Sequence, residues 1–191
     1  MLWLWILIGV VVLLGIFVVL GYNRLVRLRN EVDTGWANID VQLQRRADLI
    51  PNLVETVRAY AAHERAVFDE VTHARAQLQR AGTPGTAAEA NEGLTAAVGR
   101  LFAVAEAYPE LKASESFLSL QEDLTDTEDK ISAARRYYNA TVMRFNTGVQ
   151  SLPWLLVAKP LGFHEREFFS AQGDTSLPQV SFAAGAPPEL P

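Results

Sequence analysis

The side chains best suited to chemistry are three histidines, and they form no catalytic pattern. His63 and His73 are ten residues apart, which places them on different faces of a helix, and His164 lies near the carboxyl end. The pair His63-Glu64 is only the first half of an H-E-x-x-H zinc motif, and the sequence contains no G-x-S-x-G, P-loop or G-x-G-x-x-G motif. We therefore expect a protein without catalytic activity, bound metal or cofactor.

Two rows of polar residues at helical spacing are the best candidates for a specific site. Asp48 and Asn52, four residues apart, share one helix face. We favour the interpretation that the rows meet inside a bundle as hydrogen-bonded groups that fix helix register. The alternative is a ligand or partner site beside Pro51. The rows comprise Asn30, Asp40, Arg45, Arg46, Asp48 and Asn52 on the first amphipathic segment, and Arg135, Asn139 and Asn146 on the last.

Composition narrows the possible functions further. The 191 residues carry a net charge of −5, and no basic face is evident, so we do not expect a nucleic-acid partner. The sequence has no cysteine, which excludes disulfides, zinc-thiolate sites, thiol nucleophiles and lipidation on cysteine. The carboxylates at Asp126, Glu128 and Asp129 are typical of a solvated helix face.

The elements that must position these residues begin with an uncharged apolar segment, Leu2–Leu20. As a helix it is about 28 Å long, close to the thickness of a hydrocarbon core. We interpret residues 1–21 as a transmembrane anchor in contact with membrane lipid. A cleaved signal peptide is the alternative, but no lysine or arginine precedes the segment and no A-x-A-like site follows it. The representative anchor residues are Leu2, Trp3, Trp5, Phe17 and Leu20.

Charges beside the anchor predict its orientation. Arg24, Arg27 and Arg29 follow the apolar segment, whereas only the terminal amine precedes it. The positive-inside rule then places the amino terminus outside and the rest of the chain in the cytoplasm.

Helical spacing continues without interruption beyond the anchor. Leu25, Leu28, Val32 and later apolar residues recur at steps of three and four, which predicts one buried helix face. The phase is kept across Pro51, so we expect a kinked but continuous helix there, with a break near Ala61–Glu64.

The remainder predicts further helices and no strands. Ala81–Gly85 is typical of a loop, Thr86 and Glu89 have capping-box spacing, and Ser114 is suited to cap a last helix of about 36 residues. The fold prediction is all-α: one N-terminal transmembrane helix continuing into a long antiparallel bundle of three to four helices over residues 22–169. We expect the short apolar run Trp154–Ala158 to pack on the bundle end, with bilayer contact as the alternative. We expect disorder in the Pro-rich tail, residues 170–191.

Several linked motifs resemble those of the LemA family. They extend over residues 3–169; the main departures are Gly35 before Trp36 and Arg58-Ala59 before Tyr60. The motifs are Tyr22-Asn23-Arg24-Leu25-Val26, Trp36-Ala37-Asn38-Ile39-Asp40, Asp48-Leu49-Ile50-Pro51-Asn52, Tyr60-Ala61-Ala62-His63-Glu64, Glu106-Ala107-Tyr108-Pro109-Glu110 and Ala134-Arg135-Arg136-Tyr137-Tyr138-Asn139.

The resemblance implies a single-pass protein of the bacterial inner membrane with a cytoplasmic helical bundle, and it implies no known activity. The family includes magnetosome proteins of the set that shapes magnetosome membranes, which favours a structural role. We therefore expect a self-associating scaffold or adaptor, with membrane shaping as a further role open to it: a homo-oligomer that contacts lipid and an unidentified membrane or cytoplasmic protein. The alternative is a ligand-binding or envelope-stress adaptor acting through the polar rows.

Overall fold

The computed structural model describes residues 2–170, and these fold into six helices with no strand in that range. The all-α prediction is confirmed. The predicted disorder of the tail concerns residues that lie outside the described range, apart from Ser170. The helices are α1 (Leu2–Arg58), α2 (Arg65–Arg80), α3 (Pro84–Ala105), α4 (Pro109–Lys112), α5 (Glu115–Gln150) and α6 (Trp154–Val157).

Helix α1 joins the apolar segment to the bundle without interruption. From residue 2 through residue 20, its side chains are exposed to solvent. Burial begins at Leu25 and recurs at helical spacing from Val32 to Val57. Within the described residues, α1 is long and apolar enough to cross a membrane. Because no break separates the two parts, the direction of the apolar segment sets the direction of the bundle.

Pro51 lies inside α1, and the helix continues through it as predicted. Proline has no amide hydrogen, so the carbonyl of Ala47 loses its partner within the helix. The Nε–H of Arg75 on α2 donates to this carbonyl at 2.8 Å. A contact between helices therefore replaces the hydrogen bond that proline removes. The predicted break is also confirmed, since α1 ends at Arg58 and α2 begins at Arg65.

Helix caps explain two other boundaries, one of which differs from the prediction. Helix α3 begins at Pro84, with Thr83 as its N-cap. Thr83 and Thr86 each accept the other's backbone amide, a capping box one turn earlier than the predicted Thr86 and Glu89 pair. The prediction was wrong because proline suits the first helical position and extends the helix into the supposed loop. Ser114 caps α5 as predicted, accepting from the amide of Phe117.

The helices pack as two antiparallel layers of unequal length. Helix α1 packs mainly on α5, and α2 mainly on α3. Gly35 is buried where α1 approaches α5: a Cβ there would lie 3.3 Å from the Cα of Tyr138. This close approach explains why glycine precedes Trp36. The shorter α2–α3 layer covers only the part of the α1–α5 pair that is far from the apolar segment.

Candidate functional site

The most deeply buried charge of the bundle belongs to Arg46, which connects three helices. Its Nη1 donates to the Oδ1 of Asn91 on α3 at 2.6 Å and lies 2.6 Å from Oε2 of Glu128 on α5. Only 4% of Arg46 and 7% of Asn91 is exposed. We call these three residues the Arg46 node. They hold α1, α3 and α5 in one register.

The node combines one good hydrogen bond with an imperfect ion pair. The contact between Arg46 and Glu128 is not aligned as a hydrogen bond, and the buried Nε of Arg46 has no acceptor among residues 2–170. Desolvation lowers the pKa of Arg46, and the charge of Glu128 opposes this shift. The sequence interpretation of Glu128 as a solvated carboxylate holds only in part, because its side chain is 41% exposed while its Oε2 is buried toward Arg46.

In contrast to the buried Arg46, the adjacent Arg45 is exposed. Arg45 lies 3.6 Å from carboxylate oxygens of both Asp123 and Asp126 on α5. Asp126 accepts from Lys130 at 2.7 Å, and this hydrogen bond, helped by the charges of Lys130 and Arg45, lowers the pKa of Asp126. These pairs stay in water, where each contributes little to stability.

Most remaining members of the first row face solvent. Asp48 accepts from Gln44 at 2.8 Å. Within the described part of the chain, Asn30 and Asn52 accept only through their backbone carbonyls, from the hydroxyls of Thr34 and Thr56. Asp40 is exposed at the edge of a small cleft beside Trp36. Within residues 2–170, no hydrogen bond or ion pair joins this row to the row on α5.

The row on α5 instead binds an extended segment, residues 163–169, which we call the clasp. Asn146 and Arg166 exchange two hydrogen bonds, of 2.9 and 2.8 Å, between the side-chain amide and the backbone. Asn139 and Phe169 do the same at 3.2 and 2.9 Å. Seven helical residues and three extended residues both span about 10 Å, so the two asparagines match the clasp in register. Arg135, the third member, is exposed and forms no side-chain hydrogen bond or ion pair with the described residues.

Aromatic and charged contacts complete the clasp. Phe163 is buried between Tyr22 and Phe145, with ring centroids 5.4 and 6.5 Å away. Arg166 forms an ion pair with Asp33 on α1 at 3.0 Å. The clasp therefore covers one flank of the α1–α5 pair, between the α2–α3 layer and the apolar segment. Sequence reasoning missed it, although Phe163 and Phe169 near the carboxyl end were a usable signal.

Tyr138 connects the clasp to the core. Its hydroxyl donates to the carbonyl of Glu167 at 2.8 Å, and desolvation raises its pKa to about 12. The carboxylate of Glu167 lies against Gly85 in the first turn of α3, where the helix dipole favours negative charge. The clasp thus contacts α1, α3 and α5.

The opposite flank of the α1–α5 pair is open near the apolar segment. A groove of about 1000 Å³ lies there, and we call it the interfacial groove. Trp154 stacks on Phe17 at 5.6 Å between centroids, and a Cβ on Gly21 would overlap the indole ring. The groove is lined by Phe17, Gly21, Arg24, Thr147, Ser151 and Trp154, among others.

The apolar run after α5 packs on the bundle end only in part, and bilayer contact of the rest stays a prediction. Ala158 and Phe163 are buried in the bundle. Trp154 packs on the apolar part of α1, while Leu155 and Leu156 are 50% and 71% exposed. This end of the bundle is therefore apolar and lies beside the anchor.

No group of three metal-ligating side chains occurs within residues 2–170. A second cleft, of about 450 Å³, lies beside Pro51 and is lined by Arg58, Thr72 and Arg75. Arg75 already donates to the Ala47 carbonyl, and the guanidinium of Arg58 lies over the ring of Phe68, 5.1 Å from its centroid. Both arginines of this cleft therefore have partners within the bundle.

Comparison with known proteins gives a consistent family relationship. The LemA family model matches residues 35–182. Magnetosome protein MamQ of Magnetospirillum gryphiswaldense is similar at 28% identity over 189 residues, covering 83% of this chain and 70% of MamQ. Magnetosome protein MamQ 2 of Paramagnetospirillum magneticum is 28% identical over 184 residues, covering 82% and 68%. Protein LemA of Metamycoplasma hominis is 26% identical over 150 residues, covering 78% and 68%. None of these names denotes an enzyme.

Proposed function

This chain belongs to the LemA family, and from that membership we propose that it is a membrane-anchored structural scaffold or adaptor at the bacterial inner membrane. In this proposal, the apolar segment inserts with the amino terminus outside, and the bundle lies in the cytoplasm. Arg24, Arg27 and Arg29 support this orientation through the positive-inside rule.

The observation that carries the proposal is the continuity of α1 from the exposed apolar segment into the buried core. A helix without a flexible linker fixes how the bundle is presented at the bilayer, which suits lateral packing of many copies. Similarity to proteins named for the magnetosome favours a role at a membrane, including membrane shaping.

The polar residues also favour a structural role. Arg46, Asn139 and Asn146 use their side chains to join elements of the same chain. A binding site would be expected to leave such groups directed into a cavity.

The test is the mass and shape of the full-length protein in mild detergent, measured by light scattering and negative-stain imaging. We expect a regular assembly that is lost when residues 1–21 are deleted. A monomer in both forms would refute self-assembly. An assembly that survives the deletion would locate the contacts in the bundle instead.

The second candidate is a small-ligand adaptor, supported by the cleft beside Pro51 with Arg58 and Arg75 on its wall. It predicts that anionic metabolites raise the thermal unfolding temperature and that Arg58→Gln abolishes this rise. A metabolite screen without any thermal shift would exclude it.

A further inference from the structure

The interfacial groove begins within the part of α1 that lipid would surround. Phe17 belongs to the apolar segment, and the groove continues past Gly21 and Arg24 toward α5. Its lining residues Thr147 on α5 and Ser151 at the C-cap of α5 lie about 120° around the helix axis from Asn139 and Asn146. The groove and the clasp therefore occupy opposite flanks of the α1–α5 pair, and the groove is left uncovered by residues 2–170.

The end of the groove nearest the anchor is apolar. The stacked rings of Phe17 and Trp154 form its wall, and the adjacent Leu152 is 74% exposed. Gly21 allows the indole to lie directly on α1. Once α1 is inserted, this wall is continuous with the hydrocarbon region of the bilayer. A lipid acyl chain can therefore enter the groove and pack against the wall.

The next part of the groove is basic and polar. Arg24 lies about 6 Å along the helix beyond Leu20, at the depth of the lipid headgroups. It forms no ion pair or hydrogen bond with any residue in the 2–170 range. The hydroxyl of Thr147 lines the same groove, and the hydroxyl of Ser151 beside it donates to the Thr147 carbonyl at 2.6 Å. Arg144, farther along, is already paired with Glu31 at 3.4 Å. Among the described residues, the guanidinium of Arg24 thus has no charge partner, in a protein whose net charge is −5.

The geometry points to a binding site for one anionic phospholipid in the interfacial groove, with an acyl chain against Phe17 and Trp154 and the phosphate at Arg24. A guanidinium is suited to phosphate because it presents several N–H donors in one plane. The continuous apolar wall selects a lipid over a free anion. The proposal requires membrane insertion of α1 but does not require self-assembly, so the two can fail independently.

The test uses the full-length protein in nanodiscs that contain equal amounts of phosphatidylglycerol and phosphatidylcholine with the same acyl chains. Lipids that remain bound after release are counted by native mass spectrometry. One arginine near the membrane surface predicts an enrichment of phosphatidylglycerol of about fivefold. Arg24→Gln is expected to remove most of this enrichment.

Arg27→Gln is the matched control, because Arg27 lies at nearly the same depth but outside the groove. It should retain the enrichment, and an equal loss in both variants would show only general attraction to the charged surface. Thr147→Trp fills the groove and should prevent lipid retention while the thermal unfolding temperature of the bundle is maintained.

Two other results would also overturn the proposal. One is equal retention of both lipids by the unsubstituted protein. The other is a lipid-free dimer that Thr147→Trp converts to a monomer, since the groove would then be the contact with a second copy.

Discussion

Replacement of Arg46 by methionine tests whether the Arg46 node stabilises the bundle or only sets its register. Methionine keeps most of the aliphatic length of arginine and removes the charged group. Folding of the variant no longer requires the desolvation of a guanidinium. However, the Oδ1 of Asn91 loses the donor that lies 2.6 Å away. The side chain of Glu128 is 41% exposed, so water can solvate it in the variant.

The size of the stability change depends on which polar group stays buried without a partner in the variant. An unsatisfied buried amide costs about 1–3 kcal/mol, and we expect Arg46→Met to lower the free energy of unfolding by about 2 kcal/mol. For a domain of this size, that change lowers the unfolding temperature by about 4–8 °C. The assay is thermal unfolding of the full-length protein in mild detergent, followed by circular dichroism at the helix band.

A double variant separates the effect of the unpaired Asn91 amide on stability from the effect of removing the Arg46 charge. Arg46→Met combined with Asn91→Leu removes the unpaired amide, and we expect it to recover about 1 kcal/mol. Arg45→Met is the control on the neighbouring exposed arginine and should change stability by less than about 0.5 kcal/mol. The reasoning fails if Arg46→Met alone is neutral, or if the double variant is less stable than the single one.

Three further predictions concern the clasp and the proline. Asn146→Ala removes two hydrogen bonds and should cost about 1–2 kcal/mol, with faster hydrogen exchange in the clasp, whereas Arg135→Ala should leave exchange unchanged. Tyr138 has its pKa raised from 10.0 to about 12, so its stabilisation is complete below pH 10 and is lost as the pH rises toward 12. Tyr138→Phe should therefore be less stable than the unsubstituted protein at pH 8, by urea titration, and this deficit should shrink above pH 10; a constant deficit would contradict the pKa shift. Arg75→Met should cost about 1–3 kcal/mol alone but much less together with Pro51→Ala, which restores the helical hydrogen bond; equal costs in both backgrounds would exclude the proposed replacement.

The fold was largely predictable because it follows from local patterns. The spacing of Leu25, Val32 and Ile39 indicated the buried face of α1, and Ser114 indicated the start of α5. The error at Thr86 was also local. Thr83 and Thr86 were both suitable N-caps, and Pro84 at the first helical position favours Thr83.

The partners of the polar residues were not predictable in the same way. Asn139 and Asn146 could be placed on one face of α5, but their partner is an extended segment without helical or strand periodicity. Arg46 and Arg45 are adjacent in sequence, and the packing of α3 and α5 around Arg46 makes it buried while Arg45 stays exposed. Such distinctions depend on tertiary packing, which sequence spacing does not contain.

If α1 is inserted as proposed, its unbroken course also makes the bundle a lever whose angle depends on bilayer thickness. The helix extends about 55 Å beyond the anchor, while the anchor itself is about 28 Å long. A hydrocarbon core about 2 Å thinner than the anchor is matched by a tilt of about 20°, which moves the far end of the bundle sideways by about 20 Å. Neighbouring copies in membranes of different thickness would therefore meet at different heights and angles, although no contact inside the protein has changed.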